Sequence, residues 1–202
     1  MKRIMLLLIL LFLSGCSYSY RNETLKRVAI KPPENKKYTI TVIFQKIDFH
    51  EDEISGIEIA MRLMTVKKSI QETGIFKQVT VIFDHYTEGT HALPSGSDFL
   101  MIIKSSDQLQ TRHTFLQVLS CVTLFIFPDR GREESRFFAT VKSNNPQKER
   151  LYSYTASSTY WTSLFFMFAA PFMKSEKLKN LARYDDAGRY FIQKMSSDGY
   201  FE

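Results

Sequence analysis

Cysteine is nearly absent from this chain. Among 202 residues there are two, Cys16 and Cys121. Histidine is scarce as well, at four. His85 and His91 stand six apart, while His50 and His113 are remote, and no cysteine or second histidine falls at zinc-ligand spacing. No Gly-x-Ser-x-Gly elbow, phosphate-binding glycine loop or His-Glu-x-x-His helix is present. These absences leave no catalytic constellation, imply no cofactor and no metal, and point away from an enzyme. A strong charge of one sign is also missing. Lys and Arg number 27 against 21 Asp and Glu, a formal +6. Removing Lys2 and Arg3 with the leader described next leaves +4. That balance is too mild to argue for nucleic acid, though it permits weak attraction to anionic lipid. No apolar run reaches the roughly 20 residues of a spanning helix, and there is no long repeat and no low-complexity tract.

What is present begins at the amino terminus. Lys2 and Arg3 precede an unbroken apolar run from Ile4 to Leu13, and Ser14-Gly15 leads into Cys16. A charged start, a short apolar run and small residues form a secretory signal peptide. The last four residues, Leu13-Ser14-Gly15-Cys16, resemble the lipobox of bacterial lipoproteins. In that family the cysteine sulfur receives a diacylglycerol, the chain is cut before it, and the new amino terminus is acylated. An ordinary signal peptide with a chance cysteine is the alternative, but charge, run length, small residues and cysteine all agree with lipidation. Several acyl chains anchor where a single one holds only marginally. Cys121, in QVLSCVTLFIF, then has no partner in the mature chain. With no basic residue close in sequence to lower its pKa, it reads as a small buried hydrophobe.

Residues 16–37 are polar and contain KPPENKK, whose proline pair stiffens a spacer. This segment is expected to be the lipidated tether between membrane and domain, with VAI at 28–30 available as a short edge strand. YTITVIFQK (38–46), FKQVTVIFD (76–84) and DFLMIIKSS (98–106) are rich in β-branched and aromatic residues and predict strands. SRFFATVKS and ERLYSYTAS, joined by NNPQK, predict a hairpin. Between the first two strands, 54–73 has helical periodicity with two apolar rows. Ile59, Leu63, Val66 and Ile70 form one and Ile57, Met61 and Met64 the other, which predicts a helix covered on both sides. EDE at 51–53 suits its amino terminus, and Gly74 is placed to cap its end. Ser175 is placed to cap a final helix in which Leu178, Leu181, Tyr184, Gly188, Phe191 and Met195 share a face. Asp185 and Asp186, among Arg183 and Arg189, read as a solvated face with local ion pairs. The order predicts one α+β domain over 38–202, a two-layer sandwich. Its mostly antiparallel sheet would have four to five strands, with two helices on one face.

Two apolar stretches stand outside that scheme. TFLQVLSCVTLFIFP (114–128) lacks clean alternation; a buried strand or core helix is one reading, and an interface or lipid contact stays equally open. YWTSLFFMFAAPFM (160–173) carries Trp161, Leu164, Phe165, Phe166, Phe168 and Phe172, too much apolar area to leave in water. It must face the core, a partner or lipid. Contact with membrane or partner is the favoured expectation, because Tyr160 and Trp161 suit a membrane–water boundary.

The lipobox, a helix running into TGIFKQVTV, the strand DFLMIIKSS, LSCVTLFIFP and YSYTASSTYWTSLFFMFAAPF together resemble a group of small lipoproteins of Gram-negative bacteria. The resemblance implies a fold like the amino-terminal domain of the Tol-system periplasmic protein or the curli-secretion lipoproteins. The layout is also similar to the lipopolysaccharide-assembly lipoprotein that plugs an outer-membrane barrel. Such likeness of layout licenses no function by itself. Ser17, where Asp would retain an enteric lipoprotein at the inner membrane, implies the outer membrane, facing the periplasm. The expected function is a non-enzymatic binding or assembly role in the envelope. Membrane lipid is reached through Cys16, and an envelope protein or a second copy is the further partner. Two alternatives stay open: a lipoprotein hydrolase whose site is assembled from distant residues, and a subunit of an oligomeric secretion pore. Against the pore, LFFMFAAPF lacks the alternation of a lipid-facing barrel strand.

Overall fold

A computed structural model describes residues 16–20, 38–46, 56–84, 92–112, 115, 118–119, 122–123, 129–144, 147–162 and 176–201. Six strands and two helices are described: β1 Cys16–Tyr20, β2 Tyr38–Lys46, α1 Gly56–Gln71, β3 Phe76–Phe83, β4 Phe99–Arg112, β5 Asp129–Asn144, β6 Gln147–Thr162 and α2 Glu176–Ser197. The strands form one mixed, mostly antiparallel sheet in the order β1-β6-β5-β4-β2-β3. The fold is α+β, as the sequence predicts. The sheet has one strand more than expected, and that strand comes from the start of the segment read as tether. CSYSY pairs in β1. Residues 1–15 and 21–37, with the VAI segment and the proline pair, lie outside the described residues.

The chain divides into two compact units. The larger comprises Glu23–Asp107, Ser135–Ala156 and Leu181–Glu202. Its centre is β2, which runs parallel to β3 on one side and to β4 on the other. A strand flanked on both sides and covered on both faces should be apolar almost throughout. In β2, Ile40, Val42 and Phe44 are buried on one face and Thr39, Thr41, Ile43 and Gln45 on the other. On the second face Ile43 clusters with Leu100 and Ile102 of the neighbouring β4, and Leu93 packs against the three. The threonines of this face are satisfied by the turn before β4. Thr39 N donates to Asp98 Oδ2 at 2.6 Å, Asp98 N donates to Thr39 O at 3.0 Å, and the Thr41 and Ser97 hydroxyls meet at 2.7 Å.

The first face carries both helices. Val66 and Ile70 of α1 and Tyr184, Ala187, Phe191, Ile192 and Met195 of α2 are buried. Tyr184 lies 5.8 Å from the Phe44 ring and 5.3 Å from that of Phe137 on β5. The two helices touch where Gly188 meets Ser69, and Arg62 lies over the Tyr184 ring at 5.1 Å. Gly74 ends α1 with φ at +73°, and its N–H donates to Gln71 O at 3.1 Å. Ile75 is fully buried behind it. At the end of the sheet where β2 and β3 begin, Tyr38, Phe76, Phe99 and Phe201 pack with ring centroids 5.3–6.2 Å apart.

Two expectations for this unit need correction. The second apolar row of α1 is not covered: Ile57 and Met64 are exposed. The helix lies in the outer of two layers, so one row suffices to hold it and the other meets solvent. Arg183 is not on a solvated face either. It is buried, and its Nη1 donates to Ser135 Oγ at 2.8 Å. The helix turns by about 100° per residue, which puts Arg183 beside buried Ala187 rather than beside Asp185.

Candidate membrane-contact site

The smaller unit comprises Met1–Asn22, Gln108–Glu134 and Ser157–Asn180. It gathers the cysteine and both apolar stretches singled out in the sequence. Strand β1 alternates Ser with Tyr, a residue that favours strands. It pairs antiparallel with the end of β6 in the register Cys16↔Thr162, Ser17↔Trp161, Tyr18↔Tyr160, Ser19↔Thr159 and Tyr20↔Ser158. Residues directly opposite in such a pair have Cα atoms about 4.5–5.5 Å apart. Cys16 is therefore fixed beside the last residue of β6, and Trp161 is opposite its immediate neighbour. The chain leaves this point directly into the aromatic stretch. Leu164, Phe165, Phe166, Phe168 and Phe172 themselves lie outside the described residues. The structure thus brings two of the expected site residues, Cys16 and Trp161, 145 positions apart, to one end of an edge pair.

The described residues of the first apolar stretch depart from its buried reading. Its described residues Phe115, Val118, Leu119 and Val122 have helical backbone, and Thr123 N donates to Leu119 O at 3.0 Å. A buried strand or core helix would hide its large side chains. Instead Phe115 is 76% exposed, Val118 58% and Val122 76%. Their spacing of three and four residues puts them on one helical face. That spacing was the available signal; the continuous hydrophobicity of the stretch obscured it. Cys121 lies outside the described residues.

Charge is unevenly divided. From Cys16 onward the smaller unit holds seven Lys and Arg against four Asp and Glu, and the larger holds 18 against 17. Nearly all of the +4 balance therefore belongs to the unit with the cysteine and the apolar stretches.

The polar clusters of the larger unit are structural in character. At the end of α2, Tyr152 donates to Asp198 Oδ2 at 2.7 Å, and Lys148 Nζ donates to Asp198 O at 2.5 Å. Arg150 pairs with the same carboxylate at 3.4 Å. These cations sit where the carboxy-terminal end of a helix dipole favours positive charge. Burial, and then the bond to Asp198, push the Tyr152 phenol far above its ordinary range. Burial likewise raises Tyr200. Arg189 pairs with Asp185 on its own helix and with Glu72 just past the end of α1. Burial alone would lower its pKa, but those two carboxylates raise it. All four histidines, and Asp48 with the acids at 51–53, lie outside the described residues. Among the described residues no group of three His, Cys, Asp or Glu is placed to hold a metal ion, and no helix is long and apolar enough to cross a membrane.

No family model and no curated protein matches the chain. Among solved structures, it is similar to a neuraminyllactose-binding hemagglutinin homolog from Helicobacter pylori. That match has 7% identity, covers 88% of this chain and 91% of that one, and has a TM-score of 0.42. It is also similar to a PelC dodecamer from Paraburkholderia phytofirmans, with 7% identity, 82% and 95% coverage and a TM-score of 0.32. At these scores neither likeness carries an argument about what this chain binds or assembles with.

Proposed function

We propose that this chain is an envelope lipoprotein, acylated at Cys16, that performs a non-enzymatic binding or assembly role while held at a membrane. The outer membrane, on its periplasmic side, is the reading that Ser17 supports. One observation carries the proposal beyond the lipobox: the β1–β6 register, which sets Cys16 beside Trp161 at the mouth of the aromatic stretch. An acyl anchor at that position would hold the stretch near the bilayer surface, where a Trp ring is favoured. The absence of a catalytic constellation in the sequence supports a role in contact rather than chemistry. Metabolic labelling with a radioactive fatty acid tests the anchor. The wild-type chain takes up label and sediments with outer-membrane vesicles, whereas Cys16→Ser accumulates as an unlabelled precursor. Label on Cys16→Ser equal to wild type refutes the reading.

A further inference from the structure

Strand β3 is an edge of the sheet: among the described residues β2 pairs with it on one side and no strand on the other. A parallel ladder turns the N–H and C=O of alternate residues toward one neighbour. Asp84 N donates to Phe44 O at 3.1 Å. Thr80 and Ile82 therefore also face β2, while Val79, Val81 and Phe83 turn their main-chain groups outward. Natural edges are blunted by charge, proline or bulges. From Gln78 to Phe83 this one has no charge and no proline, and its pairing irregularity lies earlier, at Tyr38/Thr39. Ile82 is 48% exposed.

An apolar row runs beside this edge. α2 rests on β5 and β6, with Tyr184 on Phe137 and Tyr190 on Tyr154, and it touches α1 at Arg62 and Ser69. α1 packs on β3. The side of α1 turned away from Arg62 and Ser69 therefore looks past β3. Ile57 and Met64 lie roughly 120–160° round the helix from those two residues. They are 74% and 69% exposed.

The occupant that covers both features is a second copy, because the edge complements itself. Take a twofold axis through Val81, with the two β3 strands antiparallel. Val81 then meets Val81, Val79 meets Phe83, Thr80 meets Ile82, and the Gln78 amide stands opposite the Asp84 carboxylate. Every outward-facing residue falls in a hydrogen-bonded pair, and each pair shares one face of the sheet. Moving the axis to Thr80 would set Lys77 against Phe83 instead. The helices fit the same axis. α1 joins the parallel neighbours β2 and β3 and lies over that pair, so two copies of α1 run about 10 Å apart. Packed helices lie about 8–10 Å apart. Val81 stands about 16 Å along β3 from Phe76. The same distance back along α1 from Gln71 is roughly 11 residues. It reaches Ala60, midway between Ile57 and Met64. Ile57 of one copy thus meets Met64 of the other. A foreign strand would satisfy the edge and leave both in water.

We infer that two copies of this chain join through β3 and α1, about a twofold axis at Val81, into one continuous sheet. This goes beyond the anchoring proposal and does not depend on it, since every residue of the seam lies in the larger unit.

The test uses the full chain with Cys121→Ser as parent, produced in a Gram-negative host. Val81→Cys, Val79→Cys, Phe83→Cys or Leu151→Cys is added singly, and intact cells are oxidised with copper phenanthroline. Cα atoms of a hydrogen-bonded pair are about 5.5 Å apart, within disulfide reach. The expected result is a linked dimer for Val81→Cys that neither the parent nor Leu151→Cys forms. Residues 79 and 83 each stand about 13 Å along the strand from their own copies. Val79→Cys and Phe83→Cys should therefore link poorly alone and well when produced together. Two further variants separate the seam from the fold. Val81→Pro removes an outward donor at an edge, where proline is tolerated, and Met64 is exposed. Val81→Pro and Met64→Lys should both keep the parent's circular dichroism. Each should raise the dimer dissociation constant at least about tenfold, by sedimentation equilibrium in density-matched detergent. Linkage at 81 no greater than in the parent, together with none between 79 and 83, overturns the inference. So does a linked species at 81 whose mass shows a different protein, which makes the edge a docking strand for another chain. A band common to the parent and every variant comes from Cys16, and with the acyl mass of the intact chain it bears on the anchor alone.

Discussion

Gly188 is where α2 comes closest to α1, and replacing it by Ala puts the helix packing to a numerical test. A Cβ there would fall under 3.0 Å from Ser69 Oγ, 3.4 Å from Ser69 Cβ and 3.7 Å from the Val66 carbonyl oxygen. Only the hydroxyl clashes. It can rotate away, but Ser69 is fully buried and donates to Val66 O at 2.8 Å. Rotation exchanges a made hydrogen bond for an unmade one in the core, at about 1–3 kcal/mol. Separating the helices instead costs about the same through overpacking. Against either stands the preference of a helix interior for Ala over Gly, up to about 1 kcal/mol. The expected net is a loss of about 1–2 kcal/mol, or roughly 2–8 °C in Tm for a chain of this size. Ser69→Ala removes the clashing atom. In that background Gly188→Ala should reverse sign and stabilise by about 0.5–1 kcal/mol. Urea unfolding of the four proteins of this double-mutant cycle measures the coupling. Gly188→Ala that stabilises alone, or destabilises equally with and without the Ser69 hydroxyl, refutes the packing described here.

Gly74→Val should cost about 1 kcal/mol or more, because a side chain is strained at a φ of +73°. Nothing lies within 4 Å of its Cβ position, so Gly74→Asn, which tolerates that φ, should cost less. Equal melting temperatures for the two variants would contradict a purely backbone origin, and substitutions at exposed Lys67 or Lys68 should change little. Tyr152 should limit alkaline stability. Its phenol is raised on folding, so the folded-state contribution is intact below about pH 10 and is lost as the unfolded phenol ionises above it. Tyr152→Phe should flatten the fall in Tm above that pH, and superimposable profiles for the two proteins would count against the burial of this hydroxyl.

How much of this was legible in the sequence depended on whether side chains or backbone decide the element. β2 matches its apolar run because it buries side chains throughout its middle, β3 buries Phe76 and Val79 and leaves Ile82 exposed, and α2 is buried at Tyr184, Gly188, Phe191 and Met195 as its periodicity requires. β4 and β5 extend well past the apolar segments into DQLQTR and DRGREE. Those polar ends pair through main-chain hydrogen bonds, which leave no hydrophobic signature. β1 was hidden for the same reason. CSYSY does alternate, but five residues beside a long polar, proline-containing segment read as spacer until a partner strand is in place. At the candidate site, Cys16 was visible because a processing motif is local, whereas its placement beside Trp161 depends on a pairing across 146 residues. The exposed row of α1 and the exposed face at 115–122 show the opposite limit. Hydrophobicity identifies side chains that prefer to leave water, without saying which of them the fold covers.

That long-range pairing also has a consequence in time. Residues 21–146 lie between β1 and its partner, so it cannot join the sheet until β6 has emerged. At ordinary synthesis speed the delay is on the order of ten seconds. Until then the segment that carries Cys16 lacks its partner strand. Once β6 arrives, the same residue becomes part of a hydrogen-bonded edge. Any event that needs the backbone at Cys16 unpaired therefore competes with the pairing of β1 to β6.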